Sequence, residues 1–198
     1  MPHPQMSRVA VTLVLWAGLA IAAGATGAFS QLKPPAPQLV ILGLTLAAIL
    51  AATRVPSVRS LVDTFSLRAL ISIHIVRFVG AVFLLLGARG ALSPLFATRA
   101  GWGDIVAAAA AVALLAFGPP TTRGWRAATL AWNTFGVLDL VVAVTTATVI
   151  VFRGDVPGME PLFRVPLILV PTFFVPLLLA GHVLIYGRLL SGRSANAD

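Results

Sequence analysis

The sequence predicts an all-α polytopic membrane protein, a bundle of six transmembrane helices joined by short loops. Hydrophobic residues make up 59% of the 198 residues and charged residues only 10%, whereas about 25% of a soluble domain is charged. Six apolar stretches come close to or exceed the roughly 20 residues that cross a bilayer as a helix. None of them alternates polar and apolar residues as the strands of a membrane barrel do.

The predicted spans cover most of the chain, and we expect them to form one transmembrane domain, residues 1–198. The connections between them contain proline or glycine, which end helices. The predicted spans are residues 9–29, 37–53, 67–88, 103–118, 128–152 and 165–188.

The first span has some features of a secretory leader, since Arg8 precedes the apolar stretch and small residues follow it. A leader core has about 7–15 apolar residues, and this stretch is longer, which favours a retained helix.

Between the second and third spans, "PSVRSLVDTFSLR" (56–68) has apolar residues at i, i+3, i+4 and i+7. This spacing predicts either a short amphipathic helix at the membrane surface or an extension of the third span.

The fourth span is the shortest, and its alanine run indicates close helix packing. Asp104 falls in its predicted first turn at the outer face, where a carboxylate complements the positive end of the helix dipole. The sixth span contains Pro171 and Pro176, which remove backbone hydrogen bonds and predict kinks. Prolines are common in membrane helices, so the kinks either only shape the helix or belong to a helix that lines a transport pathway.

The distribution of basic residues predicts that both termini lie in the cytoplasm, because cytoplasmic loops carry an excess of Lys and Arg. Eight basic residues fall on the side of the termini: Arg8, Arg54, Arg59, Arg68, Arg123, Arg126, Arg188 and Arg193. Five fall on the other side: Lys33, Arg89, Arg99, Arg153 and Arg164.

Composition excludes several classes of function. The net charge of +8 is scattered among the loops, which argues against a nucleic-acid interface. The chain has no cysteine, which excludes disulfides, thiolate-bound zinc and iron–sulfur clusters. No phosphate-binding loop, nucleophile elbow or zinc-protease motif is present. We therefore predict no catalytic residue, and an enzyme is the less favoured class.

Five ionisable or strongly polar residues lie deep inside the predicted spans: His74, Arg77, Asn133, Asp139 and His182. Asp104 lies near the end of another span. A charged side chain at mid-membrane costs about 2.5–3.5 kcal/mol, so such residues face protein or water. At 1.5 Å per residue, both histidines and Asn133 lie about 9–10 Å from the nearest basic residue at the cytoplasmic end of their helix. Three polar residues on three helices are thus predicted at one depth.

Arg77 and Asp139 are predicted to face each other across the third and fifth spans. Small residues share the helical face of each, and such residues mark close contacts between membrane helices. The segment "NTFGVLD" places Asn133 and Asp139 on one face. The pair serves either as a buried ion pair that fixes helix packing or as part of a pathway for a proton or small solute.

The two histidines admit two interpretations. Each is an interhelical hydrogen-bonding contact, or together they are the axial ligands of one b-type haem, with Arg77 or Arg68 near the propionates. No metal site is predicted, because two histidines and one distant aspartate make an incomplete ligand shell.

The segments "FATRAGWGDI" (96–105), "WNTFGVLDL" (132–140) and "PLILVPTFFVPLLLAGHVL" (166–184) resemble a group of uncharacterised bacterial membrane proteins with six helices. The resemblance implies a bacterial inner membrane and supplies no reaction. The sequence therefore favours a non-enzymatic membrane component, with a small-solute or proton permease and a haem protein as alternatives. The expected partners are the lipid bilayer and either further copies of the chain or other membrane subunits.

Overall fold

The computed structural model describes residues 4–117, 122–154 and 158–191. Arg193, which entered the count of basic residues, lies outside these ranges. The described part of the chain is helical, without a strand, which confirms the predicted all-α class. Its α-helices are α1 Pro4–Ala25, α2 Ala36–Arg54, α3 Pro56–Val62, α4 Leu67–Ser72, α5 Gly80–Ala88, α6 Pro94–Ala116, α7 Arg123–Phe152 and α8 Val175–Leu190. The 3₁₀ segments are Phe29–Gln31, Ile73–Val79 and Glu160–Phe163, and a π-helical turn covers Val170–Phe174.

Within the described residues, six helical stretches are long and apolar enough to cross a membrane. They are Arg8–Ala25, Ala36–Arg54, Leu67–Ala88, Pro94–Ala116, Arg123–Phe152 and Val170–Leu190. Each overlaps one predicted span, and the chain is a multi-pass membrane protein.

The fourth span differs from its prediction in where it begins. Helix α6 begins at Pro94 rather than at residue 103, since proline is well tolerated in a first helical turn and the alanine-containing segment after it is a good helix former. Asp104 therefore lies in the interior of α6. The first-turn position expected for it is wrong.

The segment between the second and third spans forms a helix of its own. Helix α3 ends at Val62, and Ser66 caps the start of α4 by accepting a hydrogen bond from the backbone N–H of Ala69 at 3.1 Å. Of the two predictions for residues 56–68, the short separate helix is therefore the one observed.

The helices divide into two compact units. The first comprises residues 1–64 and 151–180, and the second comprises residues 65–150 and 181–198.

In the first unit, an indole group compensates for a proline. Pro176 has no N–H to donate to the carbonyl of Thr172, four residues earlier. The Nε1–H of Trp16 donates to that carbonyl at 2.9 Å. The irregular π-helical turn just before Pro176 is thus fixed to α1, as expected where an outside donor satisfies a freed backbone group.

In the second unit, the third span changes its helical form. A 3₁₀ segment of seven residues, Ile73–Val79, separates α4 from α5. Burial follows it with a period of three residues: the buried positions are Ile71, His74, Arg77, Gly80 and Phe83. This is the repeat of a 3₁₀ helix, in which residues i and i+3 lie directly above one another.

Helices α5 and α6 of the second unit approach closely through glycines. A methyl group on Gly80 would collide with the carbonyl oxygen of Gly101, and one on Gly101 would lie 2.9 Å from the carbonyl oxygen of Gly80. Small residues at such a crossing let two membrane helices pack backbone to backbone. This contact places Asp104, one turn beyond Gly101, beside the 3₁₀ segment.

Basic side chains at one end of the second unit bind helix-end carbonyls. Arg68 donates to the carbonyl of Leu115, and Arg126 donates to the carbonyl of Leu189 at 2.8 Å. Both carbonyls belong to the last turn of a helix, which lacks intrahelical donors and carries the negative end of the dipole. These bonds hold the ends of α6 and α8 against their neighbours.

Candidate functional site

A buried cluster of charged groups is centred on Arg77. Its Nε–H donates to Oδ1 of Asp104 at 2.7 Å, and its Nη2 donates to Oδ2 of Asp139. Its Nη1 donates to the backbone carbonyl of Gly136 at 3.2 Å. All three guanidinium nitrogens are therefore bonded, to groups from α6 and α7. We call Arg77, Asp104 and Asp139 the carboxylate cluster.

The carboxylate cluster is charge-imbalanced and almost completely buried. The side chain of Arg77 is 1% exposed, while those of Asp104 and Asp139 are 9% and 8% exposed. With both carboxylates ionised, one guanidinium faces two negative charges. The small exposed area of the cluster belongs mainly to the two carboxylate side chains.

A close approach between α6 and α7 depends on Gly103. A methyl group on Gly103 would occupy the position of the Asp139 carboxylate. Gly103 thus provides the space that lets Asp139 reach Arg77.

The second part of the site is a pair of stacked histidines. The rings of His74 and His182 have centroids 4.1 Å apart and are tilted by 41°, and both residues are fully buried. The ring of Trp132 meets His74 edge-on at 5.1 Å, and its Nε1–H donates to the carbonyl of Ala107 at 2.9 Å. The indole therefore closes one side of the histidine pair.

Asn133 fixes the orientation of His182 through two hydrogen bonds. Its Nδ2 donates to the backbone carbonyl of His182 at 3.1 Å, and its Oδ1 lies 2.8 Å from Nδ1 of His182. Because an amide oxygen only accepts hydrogen bonds, Nδ1 of a neutral His182 carries the ring hydrogen. Nε2 then has a free lone pair.

Three histidine nitrogens are buried without a hydrogen-bond partner among the described residues: Nδ1 and Nε2 of His74 and Nε2 of His182. Buried polar atoms in native proteins are nearly always paired, so each exception points to strain, a bound water or ion, or a chemical role. The Nε2 atom of His182 faces Gly136, where a methyl group would lie 2.7 Å from it and 3.2 Å from Nη1 of Arg77. The histidine pair and the carboxylate cluster therefore meet at Gly136.

The histidine geometry does not fit a b-type haem. Two axial imidazoles must stand on opposite faces of the porphyrin, with the macrocycle and its iron between them. Ring centroids 4.1 Å apart are at direct stacking distance, which leaves no layer for a macrocycle.

The described residues contain no group of three or more His, Cys, Asp or Glu side chains arranged to hold a metal ion. The oxygen atoms of the carboxylate cluster that could bind a cation are partly used by Arg77.

The site contains every membrane-embedded polar residue singled out in the sequence, with Asp104 as an additional partner of Arg77. The structure brings Arg77 and Asp139 together, and it places His74 against His182 and Asn133 against His182. Sequence reasoning missed that Asp104 is a second partner of Arg77, because the start of its helix was misplaced.

Trp132 and Gly103 were not assigned a role from the sequence either. Their signal was position: Trp132 directly precedes Asn133, and Gly103 directly precedes Asp104. Composition and charge patterns do not identify a tryptophan or a glycine as part of a site, even when it adjoins a buried polar residue.

Comparison with known proteins identifies a family, but one whose function is unknown. The profile of a domain of unknown function (DUF8737) matches residues 34–190, so the chain belongs to that family. No curated protein and no solved structure matches.

Proposed function

We propose that this protein conducts protons across the membrane, and that the carboxylate cluster of Arg77, Asp104 and Asp139 is the proton-binding site in its pathway. The observation that carries the proposal is the second buried carboxylate on a single guanidinium. An ion pair that only fixes helix packing requires one carboxylate.

The charge balance of the cluster favours reversible binding of one positive charge. An uncompensated charge inside a membrane protein costs several kcal/mol, about 2.5–3.5 on insertion scales. One proton on either Asp104 or Asp139 makes the cluster neutral. The cluster therefore has two states one proton apart, the requirement for a proton relay in a membrane helix bundle.

A proton fits the cluster better than a metal cation. Hard cations such as Ca²⁺ or Mg²⁺ take six or more oxygen ligands. Here Oδ1 of Asp104 and Oδ2 of Asp139 already accept hydrogen bonds from Arg77. Too few oxygen atoms remain for a cation shell, whereas a proton requires one.

The non-enzymatic membrane component that the sequence favoured remains the competing proposal. Its support is that every nitrogen of Arg77 is bonded to a neighbouring helix, as expected of an interhelical anchor. It does not account for the second carboxylate or for the histidine nitrogens without partners.

We further propose that the protein lies in a bacterial inner membrane as one transmembrane domain, with both termini in the cytoplasm, surrounded by lipid and assembled with further copies of itself or other membrane subunits. The distribution of basic residues supports the orientation.

Proton flux into liposomes tests the proposal. Purified protein is reconstituted into potassium-loaded vesicles, valinomycin sets the membrane potential, and an internal pH-sensitive dye reports the flux. We expect the unmodified protein to conduct, and Asp104→Asn and Asp139→Asn each to lower the rate at least tenfold. Asp63→Asn is the matched control, because Asp63 is an exposed residue outside the spans that pairs with Arg59 at 3.9 Å.

Two results would reject the proposal. The first is a rate no higher than that of empty vesicles. The second is an unchanged rate in both Asp104→Asn and Asp139→Asn. Flux that requires external sodium ions rather than a proton gradient would replace proton conduction with cation transport.

A further inference from the structure

We infer that His182 is a second proton-binding site, that its accepting atom is Nε2, and that Asn133 keeps this atom free by holding the ring hydrogen on Nδ1. The inference deepens the proposed function and rests on it, since it extends the pathway from the carboxylate cluster to the histidine pair.

The first support is the way Asn133 bonds to His182. The amide is fixed by its Nδ2 bond to the His182 carbonyl, so Oδ1 must be the atom that faces the ring. An acceptor next to one ring nitrogen holds the ring hydrogen on that nitrogen and so determines the tautomer. The other ring nitrogen is then free to act as a base or a ligand. Asn133 is thus a positioning residue for Nε2.

The second support is that Nε2 has no competing partner. It is buried and has no hydrogen-bond donor among the described residues. A buried basic nitrogen without a hydrogen-bond donor costs free energy. Such an arrangement is explained if the atom is needed to accept a proton.

The third support is the position of Nε2 next to the carboxylate cluster. Only the missing side chain of Gly136 separates it from Nη1 of Arg77, and Arg77 binds both carboxylates. The charged or titratable groups around His182 are therefore His74 at its ring, Arg77 across Gly136, and the two carboxylates behind Arg77.

The transfer balances in protons and charge. The O–H bond of a protonated carboxyl group in the cluster breaks, an N–H bond forms at Nε2 of His182, and the carboxyl group returns to a carboxylate. His182 is then an imidazolium whose Nδ1–H bond to Asn133 is unchanged. Loss of the Nε2 proton to a free ring nitrogen of His74 restores the starting tautomer, and Arg77 stays protonated throughout.

Histidine-selective ¹⁵N NMR of the protein in lipid nanodiscs tests the tautomer. The chain has only three histidines, so His3→Gln and His74→Gln spectra assign the signals of His182. We expect Nδ1 of His182 to carry the hydrogen and Nε2 to be unprotonated. In Asn133→Leu, which keeps the number and branching of the side-chain heavy atoms but removes the acceptor, both tautomers should appear.

The same variants are then measured for proton flux. We expect Asn133→Leu to lower the rate at least tenfold, and the neighbouring control Thr134→Val, on the exposed face of α7, to leave it unchanged. Elution as a folded species in detergent is required of both variants.

The outcomes separate the two proposals. A His182 ring with its hydrogen on Nε2 would overturn the inference, even if flux through Asp104 and Asp139 upholds the proposed function. Mixed tautomers with an unchanged rate in Asn133→Leu would also overturn it. Absence of flux in the unmodified protein would reject the proposed function and this inference with it.

Discussion

Gly136→Ala should damage the site more than any other single methyl group added to α7. The new carbon would lie 2.5 Å from Cε1 and 2.7 Å from Nε2 of His182, and 3.2 Å from Nη1 of Arg77. Carbon atoms in contact normally lie about 3.5–4.0 Å apart, so the imidazole has to move by about 1 Å. Both side chains are fully buried, and neither can move into open space.

The magnitude follows from two opposing effects. Overpacking of a dense core costs about 1–3 kcal/mol, and replacing glycine by alanine within a helix returns at most about 1 kcal/mol. We therefore expect Gly136→Ala to lower the free energy of unfolding by up to about 2 kcal/mol, and to be about 1–3 kcal/mol less stable than a helical Gly→Ala variant that meets no neighbour. Gly43→Ala in α2 is the control, because nothing lies within 4 Å of its added carbon.

Unfolding in mixed micelles, monitored by tryptophan fluorescence during titration with dodecyl sulfate, measures both variants. Proton flux and the ¹⁵N signals of His182 should change in Gly136→Ala and stay as they are in Gly43→Ala. Equal stability of the two variants, with His182 signals like those of the unmodified protein, would show that Gly136 does not separate the two halves of the site as described.

Two further predictions concern buried partners. The double variant Arg77→Leu with Asp139→Leu leaves Asp104 without its guanidinium, so its free energy of unfolding should fall by about 2.5–3.5 kcal/mol. Adding Asp104→Leu should recover most of that loss in the same micelle titration. Proton flux should be absent from both variants. A double variant as stable as the unmodified protein would contradict the pairing of Asp104. Trp16→Phe should lower the free energy of unfolding by about 1 kcal/mol through loss of one hydrogen bond. The loss should be smaller in a Pro176→Ala background, where residue 176 regains its N–H. Equal losses in both backgrounds, measured as melting temperatures, would contradict the view that Trp16 replaces the missing donor of Pro176.

The sequence predicted the spans well because crossing a bilayer imposes a length and an apolar composition that few other constraints disturb. The boundaries were less predictable. In "SPLFATRAGWGD" (93–104) the polar residues favoured a loop, yet the segment is helical from Pro94.

The same boundary error explains what was missed in the site. Asp104 is expected in a first helical turn if its helix begins at residue 103, whereas a helix that begins at Pro94 places it in the interior, beside Arg77. The partners of Arg77 and Asn133 depend on which helices pack together, and only glycine spacing hints at that in a sequence. The functional roles of these residues stay predictions.

The 3₁₀ segment could not be anticipated from an apolar run, but it determines how the site is built. In an α-helix, residues three apart are offset by about 60° around the axis, whereas in a 3₁₀ helix they lie in line, about 6 Å apart. His74 and Arg77 therefore point to the same side, one toward His182 and the other toward the carboxylates.

A 3₁₀ run of seven residues exceeds the usual three or four and is less well hydrogen-bonded than an α-helix. Its persistence requires compensation from tertiary contacts, and the bonds of Arg77 to α6 and α7 provide it. Relaxation of this segment to an α-helix would turn Arg77 away from the line of His74. Protonation of Asp104 or Asp139 would weaken the bonds that oppose this relaxation, so we expect it to change the alignment of the histidine pair as well.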